Sequence, residues 1–311
     1  MNLIEGVSLS NLCDYSFGDQ SGQWGNIYTS FMKEANLLNL EFVSKVFEIE
    51  KERNYMTLFI DNIRLYKRNM KNVKPQDLDY VNSLMNTNDL LELCSHFNNM
   101  RFIIFTNLED TPIDEYIFEK IPENVLSVNA VNAISWGGKV NPIPYGVQRK
   151  FNINDDRMDI LKEYMNISKS PSNLLYVNHS ENTNIERVGI FDLFSDRTWS
   201  VVDRERIDYS CFLNRMSECK FVICPIGNAI DCHRNWEVLY MRRVPVMKKH
   251  DYLEYLFREY PVLFVDSYSD ITEDLLISKQ SLFDKMQKID LVNLDIQNFY
   301  DKIVKDSIEK K

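Results

Sequence analysis

Eight short apolar runs, rich in β-branched and aromatic residues, recur along the chain and constrain its fold class. They lie at 57–60, 102–105, 125–128, 174–177, 199–202, 221–224, 244–247 and 262–265. Continuous apolar runs of this length predict strands buried on both faces, as in a parallel sheet. Between most of them, apolar residues recur at three- and four-residue intervals, the signature of amphipathic helix. Those helical segments are 31–53, 76–97, 156–165, 185–194, 207–219, 231–242 and 271–288. Strand alternating with helix predicts an α/β fold with mostly parallel sheets.

The chain has 311 residues, and a prior of about 150 residues per domain favours two domains. The strands fall into two groups, before about 150 and after about 170, and the polar stretch 152–157 is a plausible joint. The expectation is an N-terminal domain over 1–150 and a C-terminal domain over 151–311, two Rossmann-like domains facing a central cleft. The last amphipathic segment, about 291–309, is expected to pack back on the N-terminal domain.

Charge and cysteine usage remove whole classes of function. Lys plus Arg number 36 against 46 Asp plus Glu, a net charge of −10, so no basic stripe is available to wrap a nucleic acid. The six cysteines show no CxxC spacing, which predicts free thiols in a reducing compartment. No apolar run approaches the ~20 residues of a membrane span, and the first residues lack the pattern of a secretory signal. A cytoplasmic protein without a transmembrane segment is expected. The sequons at Asn166 and Asn178 are then chance matches.

The most informative segment is 221–246. A strand ends at Pro225, a loop containing Gly227 and Asn228 follows, and a helix is expected from Asp231, read as its N-cap. In open α/β sheets, ligands bind at the carboxyl ends of strands, beside helix N-termini. Such a terminus suits phosphate through its partial positive charge and exposed N–H groups. Arg234 lies in the first turn, where a guanidinium reaches a diphosphate with forked hydrogen bonds. Glu237, three residues on, shares that helix face and is placed to accept from ribose hydroxyls. By local spacing alone a second reading stands: Arg234 and Glu237 form a surface ion pair of about 0.3–0.5 kcal/mol.

This segment resembles the donor-binding signature of exostosin-like glycosyltransferases: strand, Pro-x-Gly, polar loop, Arg-x-x-Glu on a helix, then Val-Pro-Val. A second block, 174–187, is similar to the upstream part of that family's C-terminal domain, where a strand ends in Asn and a helix carrying an Arg follows. Ile143-Pro-Tyr-Gly146 resembles the lead into that domain. The resemblance covers about 140–265 and is loose in the N-terminal half. It implies a GT-B fold and transfer of a sugar from a nucleotide-diphosphate donor to a glycan acceptor, inverting and without metal or other cofactor. Carried over, Arg187 and Arg234 hold the diphosphate and Glu237 the ribose. Asn178, Gly227, Asn228, Asp231 and His233 shape the donor pocket. One departure is Met241-Arg-Arg243, where the family has Gly or small residues. It leaves the sugar pocket unassigned and adds positive charge suited to an acidic ligand.

In the N-terminal half, 14–26 holds three of the nine glycines, so this loop is read as an acceptor-side or catalytic loop, or else a simple entry turn. Inverting transfer needs a general base for the attacking hydroxyl. Asp19 is the first candidate, with Glu109 and Asp110 next because they follow the strand 102–105. Gln20, Ser21, Asn129 and Trp136 are candidates for the acceptor side, the Trp as a platform for a sugar ring or as a core residue. Cys224, Cys232 and His233 lack the second ligand pair of a zinc site, and Asp77 and Asp79 are read as helix-opening acids. A phosphate-binding P-loop and a serine-hydrolase elbow are both missing. A non-catalytic nucleotide-sugar or glycan binder of the same fold is the alternative to an enzyme. A dehydrogenase lacks its glycine turn.

Overall fold

A computed structural model describes residues 1–4, 6–17, 35–61, 87–107, 121–148, 156–167 and 170–309. The chain divides into two compact units, Met1–Ile143 with Leu294–Lys311, and Pro144–Asn293. Among the described residues each unit is built on a five-stranded sheet in which every pairing between strands is parallel. Each of the eight runs singled out by its apolar character overlaps a strand. Among the described residues no helix is long and apolar enough to cross a membrane.

In the first unit the strands are β1 (Tyr15–Phe17), β2 (Tyr55–Asp61), β3 (Arg101–Asn107), β4 (Val125–Ala130) and β5 (Val140–Pro142), side by side in that order. A strand sends alternate side chains to opposite faces. Met56, Leu58, Ile60, Phe102 and Ile104 therefore meet Phe42, Val46 and Ile49 of helix Ala35–Glu50 and Leu90, Leu91 and Cys94 of helix Thr87–Ser95. Right-handed crossovers between strands laid down in sequence bring their helices to one face, which leaves the other face to be covered from elsewhere.

The chain's last helix, Ile296–Glu309, covers that other face. Tyr300 stacks on Phe105, centroids 5.4 Å apart, and its hydroxyl lies 2.8 Å from Thr57 Oγ1. Ser307 and Ser127 hydroxyls pair at 2.7 Å in full burial. Asp14 locks β1 to β2 by accepting from the Thr57 amide at 2.8 Å and hydroxyl at 2.9 Å, and from Arg53.

In the second unit β6 (Asn173–Val177), β7 (Ser200–Val202), β8 (Cys219–Ile223), β9 (Val244–Lys248) and β10 (Leu263–Val265) stand in the order β10-β9-β8-β6-β7. Two expected helices differ in detail. The segment 271–288 is two helices, Glu273–Ser278 and Gln280–Lys288, broken at Lys279. The segment 185–194 begins as a single 3₁₀ turn, and its α-helix, Ile190–Phe194, starts only after Gly189 at φ 81°.

The terminal helix should be integral to the first unit. Tyr300→Phe is expected to lose about 1 kcal/mol from the missing hydroxyl bond, and Tyr300→Ala about 2–3 kcal/mol as the ring is lost as well. Urea unfolding of the two variants checks the order and size of the losses.

Candidate functional site

The strand order of the second unit creates its site. From β6 the chain crosses to β7 on one side, then returns past β6 to β8 on the other. Connections leaving in opposite directions open a crevice at the carboxyl ends of the two adjacent strands, the place where open α/β sheets hold ligands. The loops there are the stretch after Val177 and the stretch after Ile223, and they contain every donor-side residue expected from the sequence except the helical His233, Arg234 and Glu237, which follow directly.

Arg187 ties the two loops together. Its Nε donates to Ile226 O at 2.7 Å, one Nη to Pro225 O at 2.9 Å and the other to Ser180 O at 3.2 Å. It is 7% exposed, and burial lowers its pKa from the usual arginine value. Asn184 adds a bond to Gly227 O at 2.9 Å. A Cβ at Gly227 would stand 2.8 Å from Arg187 Nη2 and 3.2 Å from Cys232 Sγ. Glycine is required there for the approach of this guanidinium. Asn228 is exposed at the tip of the same loop.

The helix after the loop is His233–Tyr240, with Cys232 rather than Asp231 in the N-cap position. Asp231 is instead a fully buried acceptor: it takes the Tyr145 amide at 2.8 Å, Asn235 Nδ2 at 3.0 Å and Trp236 Nε1 at 2.8 Å. Burial pushes its pKa up to about 6 against these hydrogen bonds. The N-cap expectation failed because Tyr145, 86 residues upstream, supplies a competing donor. His233 opens the helix, stacks on Tyr145 at 4.4 Å and bonds Gly146 O through Nδ1 at 2.8 Å.

Arg234 lies 5.0 Å over the Phe212 ring and donates one Nη to the Asn178 carbonyl. Its remaining donors are not engaged by the described residues. Asn178 in turn fixes its loop by donating to Asp203 O at 2.8 Å. Arg187 and Arg234 thus converge on one short segment, Asn178 to Ser180. Glu237 is 6% exposed, and Tyr209 donates to its Oε1 at 3.0 Å. Burial raises the Glu237 pKa, while Arg234, Tyr209 and Arg157 oppose that rise.

Two members of this site were not picked out by sequence. Tyr209 begins helix Tyr209–Ser217, and only the packing of that helix brings it to Glu237. His179 is buried, parallel to Phe191 at 4.3 Å, and bonded through Nε2 to Arg187 O at 3.1 Å. Burial lowers its pKa to about 4. Its position after Asn178 at a strand end was the available signal.

The extra charge of Met241-Arg-Arg243 goes elsewhere. These residues precede β9 and so sit at the amino end of the sheet. Arg242 Nη1 donates to Ile289 O at 2.7 Å, just past a helix C-terminus, and Arg243 Nη2 to Ser217 O at 2.8 Å. Both satisfy carbonyls at helix ends.

In the first unit Asn129 is fully buried, donating to Ile104 O at 3.1 Å and accepting from Asn141 at 3.2 Å. Trp136 is half-buried in the turn between β4 and β5. Asp19, Gln20, Ser21, Glu109, Asp110, Asp77 and Asp79 lie outside the described residues. Among the described residues no three His, Cys, Asp or Glu side chains gather to hold a metal ion.

Two Rossmann-like parallel α/β units in one chain are the components of a GT-B-like fold. No family model matches the chain, and no curated protein matches it in sequence. Among solved structures it is similar to a UDP-forming α,α-trehalose-phosphate synthase from Burkholderia xenovorans. Identity is 9%, the TM-score 0.42, and the match covers 89% of this chain and 79% of that one. It is also similar to the N-terminal domain of trehalose-6-phosphate phosphatase from Candida albicans, at 10% identity and TM-score 0.41, covering 91% and 78%. Likeness of this degree leaves the site to be read from its own geometry.

Two buried groups give opposite pH signatures. Asp231 titrates at about 6 when folded against its ordinary 3.8, so the folded state holds more protons between these values and stability falls as pH rises. His179 titrates at about 4 when folded against 6.5, so the unfolded chain holds more protons and stability rises over nearly the same window. The wild-type advantage in Tm over Asp231→Asn should therefore shrink from pH 4 to pH 6. The advantage over His179→Phe, which keeps the stack on Phe191, should grow. Thermal unfolding at several pH values reads both trends.

Proposed function

We propose that this protein is a glycosyltransferase that moves a sugar from a nucleotide-diphosphate donor to a hydroxyl of a glycan acceptor, inverting and without a metal ion. The observation that carries the reading is the pair of arginines converging at the β6–β8 crevice, beside the N-terminus of helix His233–Tyr240. Arg234 and the helix N-terminus would receive the diphosphate and absorb the charge that grows on it as the sugar leaves. Arg187 supports the same step by holding the backbone of the loop and adding to the positive potential.

In this reading Glu237 accepts from ribose hydroxyls. The Tyr209 hydroxyl now holds the carboxylate as a ribose hydroxyl would, so donor binding displaces it. The acceptor oxygen then attacks the anomeric carbon, the bond from that carbon to the diphosphate oxygen breaks, and the acceptor proton passes to a base. Asp19, Glu109 and Asp110 are the candidates for that base. Assembly of a surface polysaccharide or other glycan in the cytoplasm is the setting this activity would suit.

Nucleotide diphosphates should raise the Tm of the wild type, because a ligand that binds only the folded state stabilises it. A thermal-shift series with UDP, GDP, ADP and dTDP should find one that does so, with binding at least about tenfold weaker in Arg234→Met. Tyr209→Phe should bind it more tightly, since the competing hydroxyl is gone. Unchanged affinity in Arg234→Met would overturn the phosphate role. Binding of a nucleotide sugar with neither transfer nor hydrolysis would favour the alternative, a non-catalytic binder of the same fold.

A further inference from the structure

The second unit contains a separate cavity whose lining shares no residue with the donor site described above. Its volume is about 370 Å³, and Arg197, Trp199, Tyr268, Ser269, Glu273 and Asp274 form its polar and aromatic walls. Pockets of roughly 300–1,000 Å³ are the usual size for small ligands. The walls are set by the fold. Trp199 packs edge-on against Phe194, centroids 6.1 Å apart at 71°, which fixes the plane of the indole. The Tyr268 side chain is buried.

The groups around this indole are chemically unsatisfied by protein. Arg197 directs Nε at Leu193 O over a long 3.5 Å, and its two terminal nitrogens are not engaged by the described residues. The same holds for the Trp199 indole N–H and for the carboxylates of Glu273 and Asp274, which face solvent. The cavity thus combines a flat apolar wall with exposed donors and exposed acceptors. A simple anion placed here meets two carboxylates, and a simple cation meets a guanidinium. A pyranose meets both needs: its C–H face lies on the indole, and its hydroxyls donate to the carboxylates and accept from Arg197 and the indole N–H.

We propose that this cavity is a carbohydrate-binding subsite that holds one or two sugar units of a glycan on the surface of the second unit. It does not depend on the sugar-transfer reading, and a protein that binds no nucleotide can still have it. Under that reading it would retain a glycan chain near the enzyme between transfers.

Saturation-transfer NMR on the full chain with maltose, lactose, cellobiose and N,N′-diacetylchitobiose at millimolar concentration tests the proposal. At least one disaccharide should bind, and Trp199→Ala and Arg197→Ala should each weaken it by about tenfold, roughly the loss of one good contact. Arg197 is exposed and carries little packing, so this variant decides the matter should Trp199→Ala fail to fold. The signal should persist in saturating UDP. The proposal is overturned if none of the four binds, if the Arg197 variant binds as well as the wild type, or if UDP displaces the sugar. It is equally overturned if a zwitterion such as leucylglycine displaces the disaccharide, since that would make the cavity an amino-acid or peptide site.

Discussion

The guanidinium of Arg187 is the contact on which the geometry of the β6–β8 crevice depends. A charged group at 7% exposure is costly unless it is hydrogen-bonded on all sides. Here three carbonyls from two loops, those of Ser180, Pro225 and Ile226, supply the partial negative charge that water would otherwise give. The dependence runs both ways. Those carbonyls stand at strand ends, without ladder partners, and Arg187 satisfies them. Gly227 follows as a consequence, because the guanidinium occupies the volume of a β-carbon. His179, bonded to the Arg187 carbonyl, holds the backbone from which the side chain departs.

That clamp sets the electrostatic character of the crevice. Arg187 and Arg234 act on the same short segment, and the Arg234 charge adds to burial in lowering the Arg187 pKa. Two buried carboxylates stand nearby, Asp231 and Glu237, and burial raises the pKa of each. They differ in their partners. Asp231 is held by an amide, a carboxamide and an indole of its own unit, a fixed internal hub. Glu237 is held by one phenol on a neighbouring helix, that of Tyr209. The crevice thus brings two guanidiniums together with one carboxylate fixed in an internal network and one held by a phenol.

Much of the fold was legible because both-face burial leaves a strong mark: a run of four apolar residues in a polar neighbourhood fits few places except a strand inside a sheet. The strands that escaped notice were β1 and β5, three residues each. Tyr15–Phe17 is continuous with a glycine-dense polar stretch, and Val140–Pro142 carries a proline, which belongs at sheet edges. At the site, Arg187, Arg234 and Glu237 were legible from spacing and resemblance, but their partners were not. Whether Asp231 caps a helix or accepts from Tyr145 is decided by chain that arrives from 86 residues away. Tyr209 meets Glu237 only through helix packing, which leaves no local trace.

The two sheets are made of the same parts, yet their strand orders give them different uses. In the first unit β1 to β5 stand in sequence, so successive crossovers run the same way and adjacent connections do not diverge among the described residues. Such a sheet has one face supplied with helices by its own crossovers and one face bare. Among the described residues the last helix lies on that other face, through Tyr300 on Phe105 and Thr57 and through Ser307 on Ser127. The second unit reverses direction once, between β6 and β8. That reversal covers both faces with its own connections and splits the loops at the strand ends. The opening therefore falls at the reversal, and the arginines are found there. The unit whose winding changes sense carries the crevice and its arginines, while the unit wound in one sense takes a distant segment of the chain into its packing.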